Sequence, residues 1–331
     1  MVPADNPMSE AKVELGRHLF YDSRLSGNQT FSCASCHRQE LAFTDGRPRA
    51  VGSTGELHPR SSMSLVNVAY NVSFNWGDPE TSRLEEQMPV PLFGDDPIEL
   101  GLSGPWLDRL RSDELYRRLF ADAFPDSDEP IQVDHVIFAI AAFQRTLISG
   151  ESPFDRLLFW GDDRDFPDAA RRGMELFFSE RLACGRCHAS FNFSGPVSFE
   201  GAEPAPAVFH NTGLYDVDGE GAYPDRNRGV LEFSGKSADM GRFRAPTLRN
   251  IAVTAPYMHD GSVATLGEVI EHYAAGGRQG DGHPWKSELV DGFEIDERGA
   301  ADLIAFLESL TDEEFLENPR LSNPFPTEPE P

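Results

Sequence analysis

All four cysteines of the chain fall in two copies of one pattern, Cys33-Ala34-Ser35-Cys36-His37 and Cys184-Gly185-Arg186-Cys187-His188. Each copy is a Cys-x-x-Cys-His, the attachment signature of a c-type haem. Two cysteines at this spacing reach the vinyl groups of one porphyrin as thioethers, and the adjacent histidine faces the iron as proximal ligand. Four cysteines could instead make two disulfides, a four-thiolate zinc site or a thioredoxin-type redox pair. Zinc leaves the histidine after each pair unexplained, and no strand–helix–strand pattern surrounds Cys33 and Cys36. The duplicated motif predicts two covalently bound haem c groups. Bacteria attach such haems outside the cytoplasm, so it also predicts a periplasmic protein whose secretory signal is already removed ahead of Met1.

The duplication extends upstream. Gly16-Arg17-His18-Leu19-Phe20 through Arg24-Leu25 precedes the first motif, and Gly173-Met174-Glu175-Leu176-Phe177 through Arg181-Leu182 precedes the second. Glycine, Leu-Phe and Arg-Leu stand in register, each stretch reading as an amphipathic helix that leads into a haem-binding loop. Further helices are predicted over 106–124, 133–149, 265–275 and 297–310. Of these, 133–149 has the clearest apolar face, and Gly276-Gly277 stops the third.

Alternating strand patterns are scarce, while 29 glycines and 25 prolines call for long ordered loops. The predicted fold is mainly α: two c-type cytochrome domains, each with one covalent haem. The polar run 162–168 marks the boundary, giving an N-terminal domain at 1–164 and a C-terminal domain at 165–331. The last twenty residues, rich in Pro and Glu, read as an extended tail.

Charge narrows the partners. There are 29 Lys and Arg against 55 Asp and Glu, a formal net charge of −26, which excludes the cationic footprint nucleic-acid binding needs. The same balance disfavours an anionic membrane surface and suits a basic or neutral protein partner. No apolar stretch approaches the ~18 residues of a membrane span.

The paired haem motifs, together with Arg242-Phe243-Arg244-Ala245-Pro246-Thr247-Leu248-Arg249-Asn250-Ile251 and Thr254-Ala255-Pro256-Tyr257-Met258-His259-Asp260-Gly261, resemble the bacterial di-haem cytochrome c peroxidase and MauG family over residues 10–310. The resemblance implies that the haem of His37 is the peroxidatic one and that the haem of His188 stores or relays electrons. In the peroxidases of this family, a methionine fourteen residues after the histidine of the His-Asp-Gly motif binds the second iron. Here that position is Tyr273, as in the MauG branch. A phenolate favours the oxidised states of iron, where a thioether would raise the potential.

The resemblance also implies roles for other residues. Trp76, 39 residues after His37, takes the place of a tryptophan between the haems. Gln87 and Glu99 match the distal glutamine and glutamate that orient peroxide and move its proton. Thr254 and Pro256 match carbonyl donors of an inter-haem calcium ion, whose side-chain ligand, an asparagine, is replaced here by Ser61. His210 and His283 read as structural.

Within the branch, residues 94–101, 209–219 and 273–278 resemble the methanobactin-associated MbnH group. The implied function uses hydrogen peroxide to reach a bis-Fe(IV)-like state and oxidises tryptophan toward kynurenine on an MbnP-like partner. A surface tryptophan that serves MauG as exit for holes is Leu182 here, which makes MauG's own substrate an unsuitable one. The alternative is a cytochrome c peroxidase reducing peroxide with electrons from a small cytochrome c or cupredoxin.

Overall fold

The computed structural model describes residues 2–203, 205–278 and 282–325. Its framework is two helix pairs built alike. In the first, helix Glu10–Tyr21 starts at Ser9, whose hydroxyl accepts the Lys12 amide, and buries Leu15, Gly16, Leu19 and Phe20 on one face. That face lies on helix Val133–Gln144, which is apolar nearly all round and buried accordingly.

In the second pair, helix Asp168–Phe177 buries Ala170, Gly173 and Phe177 against helix Glu297–Glu308, capped by Asp296. A glycine sets each crossing. A Cβ on Gly16 would stand 1.9 Å from the Ala139 carbonyl oxygen, and one on Gly173 would stand 1.9 Å from that of Asp302. Backbone meets backbone at both places, so the repeat seen in the sequence is a repeated packing device.

Each half also buries one bidentate arginine–carboxylate pair. Arg145 grips Glu85 at 2.7 and 2.8 Å, and Arg249 grips Asp155 at 2.7 and 2.9 Å. Losing one partner of such a pair costs about 3–5 kcal/mol, because a buried charge is left alone.

The core divides in three. One cluster surrounds Leu15, Phe20, Phe120 and Phe143, and a second surrounds Phe154, Phe177, Phe193 and Phe306. A small third cluster, with Trp76, Leu214, Tyr223 and Phe243, lies where the halves meet. The strands Phe209–His210 and Phe243–Arg244 pair antiparallel beside it, His210 opposite Phe243.

Several expectations change. The stretch 106–124 is two helices, Leu107–Arg111 and Glu114–Ala123, because Asp113 turns its carboxylate onto the Leu115 amide and caps the second. The helices at 133, 265 and 297 form as Val133–Gln144, Leu266–Ala274 and Glu297–Glu308.

The division expected at 164/165 falls about ten residues after the chain first enters the second core cluster. Phe154 and Leu157 already pack in the second cluster, so the polar run 162–168 is a surface loop of the second half. The stretch 312–325 is not an extended tail. Helix Glu313–Glu317 returns to the first half, where Phe315 and Leu321 join its core. Asp312 fastens this return by accepting the Ser149 hydroxyl and the amides of Gly150 and Glu151. Residues 326–331 of the expected tail lie outside the described residues.

Candidate di-haem and peroxide-reactive site

Cys33–Cys36 and Cys184–Cys187 each form a single helical turn, which puts the two thiols of a pair on one side. The cysteines are free. Burial pushes the thiols of Cys33 and Cys36 up to about 12 and that of Cys184 up to about 11. The pairs belong to different halves. No group of three or more His, Cys, Asp or Glu able to hold a metal ion comes together among the described residues, so the four-thiolate zinc arrangement is not formed.

Both motif histidines are prepared in the same way. His37 Nδ1 lies 2.8 Å from the Phe43 carbonyl oxygen, and His188 Nδ1 lies 2.9 Å from that of Phe193. A carbonyl only accepts, so Nδ1 carries the proton and Nε2 keeps its lone pair for a metal. Burial lowers both imidazole pKa values, which keeps the rings neutral. Phe43 and Phe193 adopt φ of 59° and 51°, the left-handed region that bulky residues avoid. That strain, of order 1–3 kcal/mol each, is accepted twice where a carbonyl must be aimed at a ligand.

Cys33, Cys36 and His37 form part of the wall of a cavity of about 640 Å³. Trp76, Gln87, Glu99 and Arg244 line the same cavity, so four residues remote in sequence converge on the first motif. Gln87 ends the short helix Leu84–Gln87 and donates to Asn75 Oδ1 at 3.4 Å. Burial raises the Glu99 carboxyl to about 7. His58 Nε2 stands 3.7 Å from Glu99, and burial, then the Arg60 charge, lowers that imidazole to about 4. His58 is therefore neutral near pH 7, while Glu99 is poised to gain or lose a proton.

The residues fit a haem. The volume suits a porphyrin, and Arg244 supplies independent support. Its guanidinium is half-buried in the cavity wall, and desolvation lowers its pKa to about 10. It donates to the Asn75 carbonyl and reaches the Met63 sulfur at 3.8 Å, with no carboxylate in contact. A desolvated cation of this kind calls for an anion, which haem carboxylates would provide. His259 Nε2, buried without a hydrogen-bond partner, suits a further acceptor.

Tyr273 lies on helix Leu266–Ala274. Burial raises its phenol strongly, and the thiols of Cys187 and Cys184 add to the shift. It therefore lies within electrostatic range of the second motif. None of its side-chain hydrogen bonds is satisfied among the described residues. A cation there would reverse the shift and draw the proton off.

Trp76 is buried between the two halves, its indole donating to the Ser61 carbonyl at 3.0 Å. It also borders a chamber of about 60 Å³ shared with Ser61, Thr254 and Pro256. These three calcium candidates thus meet. The chamber offers neutral oxygens and no carboxylate, and the Arg244 guanidinium forms part of its wall. That donor set does not fit calcium, which prefers carboxylate oxygens alongside carbonyls.

His210 and His283 are strand and loop residues, His283 bonded to the Tyr215 carbonyl at 2.7 Å. The residues that sequence reasoning passed over are Arg244 and His58. Arg244 stands within the quoted 242–251 motif, which was the available signal. Nothing marks His58.

Two Cys-x-x-Cys-His turns, each with a neutral, carbonyl-oriented histidine, and one opening on a porphyrin-sized cavity, define a di-haem c-type protein. The comparisons refine this. Residues 10–164 match the family described as di-haem cytochrome c peroxidase. The methylamine utilization protein MauG of Methylorubrum extorquens is 37% identical over 308 residues, covering 93% of this chain and 80% of that protein. The cytochrome-c peroxidase IdrP1 of Denitromonas iodatirespirans is 36% identical over 332 residues, covering 94% and 84%. A crystal structure of a MauG-like protein associated with microbial copper homeostasis superposes with a TM-score of 0.94 at 49% identity, over 98% of this chain and 95% of that one. The chain belongs to the di-haem cytochrome c peroxidase and MauG family, and that family implies two c-type haems. No helix among the described residues is long and apolar enough to cross a membrane.

Proposed function

We propose that this protein is a periplasmic MauG-like di-haem peroxidase that oxidises tryptophan toward kynurenine on a docked, MbnP-like protein. The observation that carries the reading is Tyr273, a half-buried phenol without a hydrogen-bond partner among the described residues and within electrostatic range of the second cysteine pair. When bound, the haem pair supplies the iron that accepts peroxide and holds its oxidising equivalents.

The chain's own residues do the rest. His37 and His188, each with Nδ1 held by a carbonyl, would present Nε2 to an iron. Gln87 orients peroxide, and Glu99 takes a proton from one peroxide oxygen and delivers it to the other, so that water leaves. Peroxide consumes two electrons and two protons to become two waters, and the electrons come from the partner. Trp76 relays them between the halves. Tyr273 would hold the second iron as a hard anionic ligand, which would favour storage of oxidising equivalents over uptake of external reductant. The substrate side chain stays outside the haem cavity. Likeness at 49% identity to a MauG-like protein of copper homeostasis supports this choice within the family.

A second reading, peroxide reduction with electrons from a small cytochrome c or cupredoxin, draws support from the likeness to IdrP1. The test is to incubate the haem-loaded protein with peroxide and candidate partners and read mass shifts on the partner. Oxygen incorporation at a partner tryptophan supports the proposal. Peroxide turnover that leaves every partner unmodified, with a second haem reducible at high potential, supports the peroxidase instead.

A further inference from the structure

An aromatic cluster continues from Trp76 toward solvent. The His259 ring lies 6.4 Å from Trp76 and stacks on Phe243 at 3.8 Å. It stands 6.2 Å from Tyr223 and 6.5 Å from Tyr215, and those two tyrosines are 5.6 Å apart. Tyr223 also lies within electrostatic range of Tyr273. The cluster thus touches the inter-haem tryptophan on one side and comes within electrostatic range of Tyr273 on the other. It ends at Tyr215, which is only half-buried, with the Arg278 guanidinium over its ring at 5.2 Å.

Its hydrogen bonds single out Tyr215. A phenol gives up an electron readily only if its proton has somewhere to go. Tyr215 Oη donates to Asp260 Oδ2 at 2.5 Å. Tyr223 donates to the Asn211 amide oxygen at 2.8 Å, a group that cannot hold the proton. Tyr116 also donates to a carboxylate, Asp22, at 2.6 Å, but it is fully buried in the first core, away from the cluster.

We propose that Tyr215, with Asp260 as its proton acceptor, is the port through which electrons from a donor protein enter the molecule. The proposal rests on the peroxidase reading, since the oxidant is the peroxide-charged haem pair. One electron leaves the Tyr215 ring inward through the cluster while the Oη proton passes to the Asp260 carboxylate. A neutral tyrosyl radical and a neutral carboxylic acid result. An electron from the docked donor then reduces the radical, and the proton returns from Asp260. Electrons flow inward whether the donor is a tryptophan or a small redox protein. Asp260 is suited to receive the proton. Burial raises its pKa, but His259 and the hydrogen bonds from Tyr215 and Ser262 bring it below the ordinary range.

The test uses the holoprotein, hydrogen peroxide and a nitroso spin trap without donor, followed by peptide mass spectrometry. The adduct is expected on Tyr215 and lost in Tyr215→Phe. Reduced mitochondrial cytochrome c, a basic protein suited to this acidic chain, serves as donor probe. Its oxidation is expected to slow roughly 100-fold in Tyr215→Phe and Asp260→Asn, the low end of what a positioned proton acceptor contributes. The rate of the haem absorbance change with peroxide stays at the wild-type value, and Tyr215→Trp restores donor oxidation. If Tyr215 remains unlabelled, or Tyr215→Phe oxidises cytochrome c at the wild-type rate while the absorbance change persists, the port is wrong and the peroxidase reading stands. Loss of the absorbance change in the wild type overturns both.

Discussion

Glu99 and His58 face each other at 3.7 Å on the cavity of the first motif, and burial displaces both pKa values toward the neutral forms. Their usefulness differs for that reason. His58, lowered to about 4, does not change charge near neutrality, whereas Glu99, raised to about 7, does.

The first prediction concerns pH. Glu99 acts as base only when ionised, so the rate of reaction with peroxide should rise toward a plateau as pH passes through about 7. Glu99→Gln should remove the inflection and lower the plateau about 100-fold. Stopped-flow absorbance between pH 5 and 9 reads both. Stability runs the other way for this group. Its folded pKa exceeds the unfolded one, so the folded state binds more protons between about 4.5 and 7, and stability falls as pH rises through that window. An inflection retained in Glu99→Gln would assign the proton transfer elsewhere.

The second prediction concerns Tyr273. Exchange for Met or His replaces a hard anionic donor by a softer neutral one, which should raise the potential of the second haem and make it reducible by ordinary donors. Protein oxidation should fall, and peroxide turnover with small reductants should rise. A redox titration beside a partner-modification assay checks the pair of changes. Full protein-oxidising activity in Tyr273→Met would contradict the role given to the phenol.

How far the sequence reaches depends on what kind of signal a residue leaves. The cysteine–histidine turns were legible because covalent attachment tolerates one spacing. Gly16 and Gly173 were legible as a repeat, although only the packing shows that each stands under a carbonyl. The return of 312–325 was hidden because Pro and Glu make up half of the last twenty residues, while its anchoring rests on Asp312 and the apolar side chains of Phe315 and Leu321. Where the second core begins was hidden for a related reason: Phe154, ahead of the polar loop 162–168, already packs in it. Arg244 and His58 have no periodicity and no spacing rule. Their character comes from burial beside a cavity, a property of the fold as a whole.

The third prediction concerns those glycines. Alanine at Gly16 or Gly173 places a methyl 1.9 Å from a backbone carbonyl oxygen, so the helices must separate. Each substitution should destabilise by about 1–3 kcal/mol, the usual range for overpacking. Gly150, where a Cβ meets nothing within 4 Å, is the control and should tolerate alanine. Chemical denaturation of the three holoproteins distinguishes them. Equal stability of Gly16→Ala and Gly150→Ala would show that the crossing is not set by backbone contact.

The fourth prediction concerns Arg244. Its guanidinium is half-buried in the cavity wall, lowered to about 10 by desolvation, and bonded only to a carbonyl and a thioether among the described residues. With haem present, it would become the partner of a carboxylate that otherwise lies buried and unneutralised. Arg244→Met should therefore destabilise the holoprotein by about 3 kcal/mol, as when one member of a buried pair is lost. Arg244→Lys, which keeps the charge but not the planar fork, should fall between the variant and wild type. Thermal unfolding of both holoproteins measures this, and resonance Raman spectra of the haem carboxylates report whether their hydrogen bonding has changed. A Met variant as stable as wild type, with unaltered carboxylate bands, would mean that the cation serves something other than the haem.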